Sequence, residues 1–367
     1  MDPVVRKHMP ELDTLRGVAI LLAFTYHGMY WTVPQDKLTS SARFVSSAFR
    51  GGWSGVQLFF VLSGFLITGI LFDSIGQTRY FRTFYWRRAL RILPAFTLTI
   101  ALLVILGLVS WKFTLLSVVF LANVSPLMGV PMQYPVLWSL AVEEHFYALW
   151  PAIVYRISAR TVAIISATLI IVQPLFRGLA FSGGYSEGLS FYTWFNLDGL
   201  ALGALLAFLG RTASRKTFRS VGIVASTLGV SATITLTLNH LWSRTTLWGA
   251  AFQSTVIYLM FGGLLVSFLV VGSSSRREIV NVRILQWFGY ISYGLYLIHL
   301  LCFDLYDRLN HWGTPHDVAS ISVRFAVAGG ISIAAAALSR TLFENRFLAL
   351  KDRTGLGTPQ LVHGQSV

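Results

Sequence analysis

The stretch WSGVQLFFVLSGFLITGILF, residues 53–72, decides the fold class, because it is twenty residues long and carries no charged side chain. A helix of that length rises about 30 Å, which matches the hydrocarbon core of a bilayer. The whole chain has the same character, since 54% of its 367 residues are hydrophobic and only 12% are charged. Soluble domains carry about twice that share of charge. The composition therefore excludes a soluble enzyme, a disordered tail and a coiled coil.

Ten apolar runs are long enough to predict membrane spans, so we expect an all-α polytopic membrane helix bundle of about ten transmembrane helices. The runs cover residues 15–33, 53–72, 92–110, 137–155, 161–176, 194–210, 221–240, 248–272, 288–306 and 321–343. A further run, 113–125, is too short for a crossing and predicts a re-entrant or interfacial helix. We expect one membrane domain, 1–351, and a flexible cytoplasmic tail, 352–367.

The net charge of +14 comes from short basic clusters between the apolar runs. This pattern is typical of loops on the cytoplasmic face, and it argues against nucleic acid as a partner. It predicts a multi-pass protein of a bacterial inner membrane, surrounded by lipid and with both termini cytoplasmic. We find no cleavable signal peptide.

Several common chemistries have no signature in the sequence. There is no nucleophile elbow, no phosphate-binding P-loop and no H-E-x-x-H metal motif. The single cysteine, Cys302, cannot form an intrachain disulfide, and one cysteine does not indicate a cysteine-based metal site. The sequence therefore predicts no metal and no permanently bound cofactor.

Ionisable residues inside apolar runs are costly, so each is a candidate for function. His27 follows Arg16 by eleven residues. On a helix this spacing places the two on one face, about 16 Å apart along the axis. Asp13, one turn before Arg16, can form an ion pair with it. The alternative for His27 is a core histidine that bonds a neighbouring helix.

Two further stretches carry charge at the edge of apolar runs. WSLAVEEHFY, 138–147, places Glu143 and Tyr147 on one helix face, although an interfacial acidic pair is the alternative for Glu143 and Glu144. FYWRRALRILPAF, 84–96, holds three arginines whose forked side chains suit phosphate. Anchoring at the cytoplasmic boundary also explains this patch. The patch consists of Arg87, Arg88 and Arg91.

The remaining candidates are weaker. Ser63 and Gln57 lie in the second apolar run, where small and polar residues also serve helix packing. Asp198 needs a cation or a donor close by. His299 ends an aromatic stretch, ISYGLYLIH, that is more typical of packing than of chemistry.

Five stretches together resemble the acyltransferase-3 family of bacterial integral-membrane O-acyltransferases. They are the Arg16–His27 spacing, FFVLSGFLIT at 59–68, the R-x-x-R of Arg88 and Arg91, WSLAVEEHFY at 138–147 and ISYGLYLIH at 291–299. One departure is Glu344-Asn345-Arg346, where the family often has Glu-x-Pro. The extra soluble domain of some relatives is also missing, so we expect a standalone transferase.

The resemblance implies transfer of an acyl group, most often acetyl, from cytoplasmic acyl-CoA to a hydroxyl of a carbohydrate-containing acceptor. We expect His27 to be the general base, because histidine changes its charge nearest to neutral pH. Glu143 would orient it, and Arg16 on the same helix face would be the third catalytic residue. The patch Arg87, Arg88 and Arg91 would bind the phosphates of CoA. Supporting or substrate-binding residues would be Asp13, Ser63, Trp138, Tyr147, Asp198 and His299.

Direct transfer is the first expectation, and an acyl-histidine or an acyl-serine on Ser63 stays open. A competing class is a proton-coupled transporter or exporter, with His27, Glu143 and Asp198 as a proton relay. The lack of an internal repeat argues against it. A sensor or scaffold that only binds a lipid or sugar is a third class. Thioester cleavage would separate the enzyme from both.

Overall fold

A computed structural model describes residues 4–6, 8–310 and 313–353, and these residues form helices and loops without a β-strand. The α-helices are α1 Pro10–Tyr26, α2 Ser40–Ser47, α3 Gly55–Phe72, α4 Tyr80–Ile105, α5 Trp111–Val118, α6 Leu137–Arg156, α7 Ala159–Ser182, α8 Leu197–Thr212, α9 Arg215–Leu238, α10 Leu247–Gly272, α11 Arg283–Leu309, α12 Val318–Leu338 and α13 Asn345–Arg353. The predicted all-α class is confirmed. Residues 354–367 of the predicted tail lie outside the described residues.

Seven helical stretches in the described part of the chain are long and apolar enough to cross a membrane. They are Ser40–Phe72, Tyr80–Ile105, Ala159–Ser182, Arg215–Leu238, Leu247–Gly272, Arg283–Leu309 and Val318–Leu350. The other three predicted spans correspond to α1, α6 and α8. The helix α8 has 16 residues, while α1 and α6 carry acidic and basic side chains. The protein is a multi-pass membrane protein, and the count of ten stays a prediction.

The short apolar run after α4 forms a helix that is too short to cross a membrane. The helix α5 has 8 residues and therefore rises only about 12 Å, too little for a crossing. A 3-10 turn, Ala122–Met128, follows it. The structure also contains two short helices that hydropathy did not predict, α2 and α13, because neither is a long apolar run.

Short polar side chains fix where several helices begin. Ser158 accepts a hydrogen bond from the backbone N–H of Thr161 at the start of α7. Asp317 and Ser320 form a reciprocal capping box at the start of α12. These bonds satisfy N–H groups that the first turn of a helix leaves without a partner.

The centre of the bundle is held by close contacts between helix backbones. A Cβ on Gly64 of α3 would lie 2.0 Å from the carbonyl oxygen of Leu200 in α8. A Cβ on Gly17 of α1 would lie 1.9 Å from the carbonyl oxygen of Leu285 in α11. Such close approach is typical of membrane helices, whose association depends on packing. It brings α1, α3, α8 and α11 together around the site.

A buried ion pair joins α7 to α8 and α10. The guanidinium of Arg177 donates to both carboxylate oxygens of Asp198, at 2.9 and 3.1 Å, and to two backbone carbonyls. The Thr255 hydroxyl donates to the same carboxylate at 2.6 Å. Both charged side chains are at most 1% exposed. The sequence predicted a cation close to Asp198, and Arg177 is that cation. The pair connects helices and lines neither of the openings described below.

Asp198→Asn is expected to lower the free energy of unfolding by about 3–5 kcal/mol, because it leaves the buried Arg177 charge unpaired. The matched control is Asp73→Asn, since Asp73 pairs with Arg211 but is 65% exposed. An exposed pair contributes only about 0–1 kcal/mol. Thermal unfolding in detergent measures both variants, and equal shifts would contradict the assignment.

Candidate functional site

The first predicted span changes its helical geometry at His27. The helix α1 ends at Tyr26, and a π-helical turn, His27–Trp31, continues it. Turns of this wider kind are rare and occur frequently at functional sites. The sequence predicted a regular helix through this point. The wide turn alters the register beyond His27 and leaves backbone carbonyls that need partners.

A buried arginine from α12 supplies those partners. Arg324 donates to the carbonyl oxygen of Gly28 at 2.8 Å and to the Thr32 hydroxyl at 2.9 Å. The Thr32 hydroxyl in turn donates to the carbonyl oxygen of His27 at 2.6 Å. Asp307 of α11 accepts two further bonds from Arg324, each 2.7 Å long. Arg324 therefore fixes the turn that carries His27 against two other helices.

His27 forms a pair with the histidine at the end of the aromatic stretch. Its Nδ1 lies 3.0 Å from Nε2 of His299, and Nδ1 of His299 lies 2.9 Å from the carbonyl oxygen of Leu295. A carbonyl only accepts, so Nδ1 of His299 carries a hydrogen. With both rings neutral, Nε2 of His299 accepts and Nδ1 of His27 donates. Nε2 of His27 then keeps its lone pair, as a base requires.

Beside α1 lies a first cavity, of about 100 Å³, which we call the arginine cavity. Its polar lining combines three guanidinium groups with one carboxylate. The polar and ionisable residues of this lining are Arg16, Ser63, Arg88, Arg91, Ser139, Glu143, Tyr147, Ser292, Tyr293 and Tyr296. The excess of positive charge makes the cavity suited to an anion.

Inside the arginine cavity, three polar side chains form a chain. The Ser63 hydroxyl donates to a carboxylate oxygen of Glu143. The Tyr147 hydroxyl donates to the Ser63 hydroxyl at 3.2 Å. The guanidinium of Arg88 lies over the Tyr147 ring, 5.5 Å from its centroid. No described residue accepts a hydrogen bond from Arg91. Arg88 and Arg91 are therefore available to a ligand in the cavity.

A second, larger opening, of about 770 Å³, lies next to His27, and we call it the aromatic cleft. Its lining includes His27 and seven Tyr or Trp side chains. The residues that line it are Tyr26, His27, Tyr30, Trp31, Arg50, Gly51, Trp53, Val56, Gln57, Pro135, Val136, Trp138, Ser190, Trp242, Ser243, Arg244, Gln253 and Tyr296.

The two openings meet at Val56 and Tyr296, which line both of them. The Tyr296 hydroxyl lies 2.6 Å from the Ser139 hydroxyl, so its ring is held at the junction. The His27–His299 pair lies beside this junction, since the Tyr296 ring is 6.0 Å from that of His299. Val56 and Tyr296 therefore lie where the cavity and the cleft adjoin, and the histidine pair lies next to Tyr296.

The structure brings together most of the predicted site residues, in two groups rather than one. Arg16 pairs with Asp13 at 2.6 Å, as predicted, and lines the arginine cavity. Trp138 lines the aromatic cleft with His27. Arg87 is half-buried but lines neither opening.

The expected contact between Glu143 and His27 is not formed, because each side chain has another partner. Glu143 accepts from Ser63, and the partner of His27 is His299, for which the sequence favoured a packing role. Asp198 lines neither opening. The three groups of the proton-relay alternative, His27, Glu143 and Asp198, therefore lie in separate clusters.

Sequence reasoning did not identify Tyr296, Arg244 or Arg324 as site residues. Tyr296 was hidden in an aromatic stretch, where packing explains most rings. The two arginines carried a usable signal, because both fall outside the clusters assigned to the cytoplasmic face. Within the described part of the chain, no group of three His, Cys, Asp or Glu side chains could hold a metal ion.

The family model for an acyltransferase domain matches residues 9–340, nearly the whole chain. The chain belongs to the acyltransferase-3 family. The resemblance inferred from the five motifs is thereby confirmed. No solved structure matches the chain.

Several curated relatives are similar to this chain. The putative peptidoglycan O-acetyltransferase YrhL of Bacillus subtilis is 27% identical over 343 residues, which are 84% of this chain and 51% of that protein. The peptidoglycan O-acetyltransferase OatA of Listeria monocytogenes is 25% identical, over 80% of this chain and 49% of its own length. The O-acetyltransferase OatA of Staphylococcus aureus is 28% identical, over 80% and 50%. The chain thus spans about half the length of these relatives.

Arg324→Lys is expected to loosen the turn at His27, because one ammonium nitrogen cannot reach Asp307, the Gly28 carbonyl and the Thr32 hydroxyl at once, as the three guanidinium nitrogens do. Hydrogen–deuterium exchange of peptides covering 27–33 should become at least about tenfold faster, which corresponds to about 1.4 kcal/mol. Arg308→Lys is the control, since Arg308 pairs with Asp304 on the exposed end of α11. Unchanged exchange at 27–33 would contradict the role of Arg324.

Proposed function

We propose that this protein is a membrane O-acetyltransferase that moves an acetyl group from acetyl-CoA to a hydroxyl of a cell-wall carbohydrate, as in peptidoglycan O-acetylation. The observation that carries the proposal is the junction of the arginine cavity and the aromatic cleft beside the His27–His299 pair. The names of the relatives, all O-acetyltransferases, support the same reaction.

The donor is assigned to the arginine cavity on the grounds of charge. CoA carries several phosphate charges, and forked guanidinium groups bind phosphate with two parallel bonds. Arg16, Arg88 and Arg91 line the cavity against a single carboxylate, that of Glu143. The basic clusters favour the cytoplasmic face at this end of the bundle, where CoA is found. This assignment places both termini inside and the aromatic cleft towards the outer face of an inner membrane.

The reaction needs one proton to move twice. The acceptor hydroxyl gives its proton to Nε2 of His27 while its oxygen attacks the thioester carbonyl carbon. The C–S bond breaks, an ester forms, and the departing CoA thiolate takes the proton from His27. His299 accepts from Nδ1 of His27 throughout, so it holds the ring and stabilises the imidazolium that forms. This is the role that a carboxylate has in a serine-protease triad.

Ser63 offers a second route within the same function. Its hydroxyl donates to Glu143, and a carboxylate in that position can take the hydroxyl proton. An acetyl group would then rest on Ser63 before it reaches the acceptor. Direct transfer remains our proposal, because the junction lets both substrates meet at His27.

The test is thioester turnover by the purified protein in nanodiscs with labelled acetyl-CoA. Release of CoA thiol that depends on a glycan acceptor supports direct transfer. Label that stays on the protein without an acceptor, and is lost in Ser63→Ala, would establish the covalent route. If the protein neither releases CoA thiol nor binds acetyl-CoA, the proposal of a transferase is wrong.

His27→Ala is expected to lower kcat by about 10²–10⁴-fold with little change in acetyl-CoA affinity, because it removes the base but not the donor site. His299 is a positioning residue, so His299→Leu should lower kcat and leave both KM values nearly unchanged.

The conservative variant distinguishes this role from packing. In His299→Gln the amide oxygen takes the place of Nε2 and can accept from His27, so part of the kcat should return. Equal losses in the Leu and Gln variants would show that His299 acts only by filling space.

Arg91→Ala is expected to raise the KM for acetyl-CoA by about tenfold or more, since one charged hydrogen bond contributes about 1.5–3 kcal/mol. The turnover at saturating donor should change little. Arg82→Ala is the matched control, because Arg82 lies on the same helix and is exposed. Equal KM values in the two variants would contradict a role of Arg91 in donor binding and would favour membrane anchoring as the function of these arginines.

A further inference from the structure

The aromatic cleft has an unusual charge balance for an opening that binds a sugar. Of the residues that line it, two are arginines, Arg50 and Arg244, and none is an aspartate or glutamate. A neutral sugar needs hydrogen bonds and aromatic faces, but it does not need two cations. The cleft is therefore more positive than a neutral acceptor requires.

Arg244 is held rigidly at the wall of this cleft. Its guanidinium lies over the Trp53 ring, 4.7 Å from the centroid. Its Nε donates to the side-chain oxygen of Gln253 at 2.7 Å, and its Nη1 donates to the Ser190 hydroxyl. Gln253 is fixed in turn by a 2.8 Å bond to the carbonyl oxygen of Trp242. All these partners are neutral.

The arrangement leaves one side of the guanidinium to the cleft. No described residue accepts a hydrogen bond from Nη2 of Arg244, and no described carboxylate forms an ion pair with Arg244. A half-buried charge without a counter-ion is costly, so it is retained where a ligand supplies the opposite charge. By contrast, Arg177 and Arg324 are bound to Asp198 and Asp307 and have no such need.

We propose that Arg244, assisted by Arg50, binds an anionic group of the acceptor, so that the acceptor is an acidic glycan rather than a neutral one. The anion is a carboxylate or a phosphate attached next to the sugar that receives the acetyl group. The Trp and Tyr faces of the cleft would pack against the sugar ring, which brings a hydroxyl to His27. This inference rests on the proposed function and specifies its acceptor.

The experiment compares acceptors that differ only in charge. The probes are the disaccharide of N-acetylglucosamine and N-acetylmuramic acid, the methyl ester of its carboxyl group, and a disaccharide that bears a phosphate instead. Acetylation is measured with wild type, Arg244→Gln and Arg50→Gln in phosphatidylcholine nanodiscs. Arg43→Gln is the control, because Arg43 is exposed and lies outside the cleft.

Wild type is expected to use a charged disaccharide with a kcat/KM about 10- to 100-fold above that of the ester. Arg244→Gln should remove this preference, because the KM for the charged acceptor rises much more than the KM for the ester. Arg50 is exposed, so Arg50→Gln should fold normally and show a smaller shift in the same direction. Comparison of the carboxylate and phosphate probes identifies the preferred anion.

Equal use of the charged and esterified acceptors by wild type would overturn the proposal. So would an equal loss on both acceptors in Arg244→Gln. Calorimetric titration of each probe gives an independent result, because anion binding that depends on Arg244 can be measured without turnover. If wild type binds the charged probe through Arg244 but acetylates nothing, the transferase fails and the anion site stands.

A lipid headgroup is the other source of the same anion chemistry. Addition of phosphatidylglycerol to the nanodiscs distinguishes it from the glycan. The proposal predicts an unchanged KM for the acidic disaccharide. A KM that rises in wild type, but not in Arg244→Gln, would assign the site to lipid and overturn the glycan assignment.

Discussion

A charge buried among membrane helices needs an opposite charge or several hydrogen bonds, because lipid supplies neither. Arg177 meets this requirement through Asp198, and Arg324 meets it through Asp307 and the turn at His27. These pairs join α7 to α8 and α11 to α12. Arg88 and Arg91 line the arginine cavity, and Arg50 and Arg244 line the aromatic cleft, and no described carboxylate forms an ion pair with any of them. A ligand can supply the opposite charge.

The same constraint acts at His27, the proposed base. Within the wide turn His27–Trp31, the buried Arg324 donates to the carbonyl oxygen of Gly28. The turn places His27 at the wall of the aromatic cleft, where its Nδ1 lies 3.0 Å from Nε2 of His299. Under the proposed function, donor and acceptor approach this pair from the two different openings. The proposed chemistry lies beside the junction, where both openings share Val56 and Tyr296.

Hydropathy and the positive clusters predicted the helical class, the short non-crossing helix and the Arg16–Asp13 pair, because these depend on local spacing. Contacts between segments that are far apart in the sequence could not be predicted in this way. Glu143 was expected on His27 but bonds Ser63, and His299 was expected to pack but bonds His27. Spacing along one helix cannot tell which neighbour a side chain meets. Arg244 could have been recognised, since an arginine outside the cytoplasmic clusters needs its own explanation.

The central claim is that donor and acceptor occupy different openings and meet at His27. Cryo-electron microscopy with a non-hydrolysable acetyl-CoA analogue tests it most directly. We expect the phosphates near Arg88 and Arg91, and the acyl end at the junction with Tyr296 and His27. Density for the analogue in the aromatic cleft, with its phosphates on Arg244, would contradict the account.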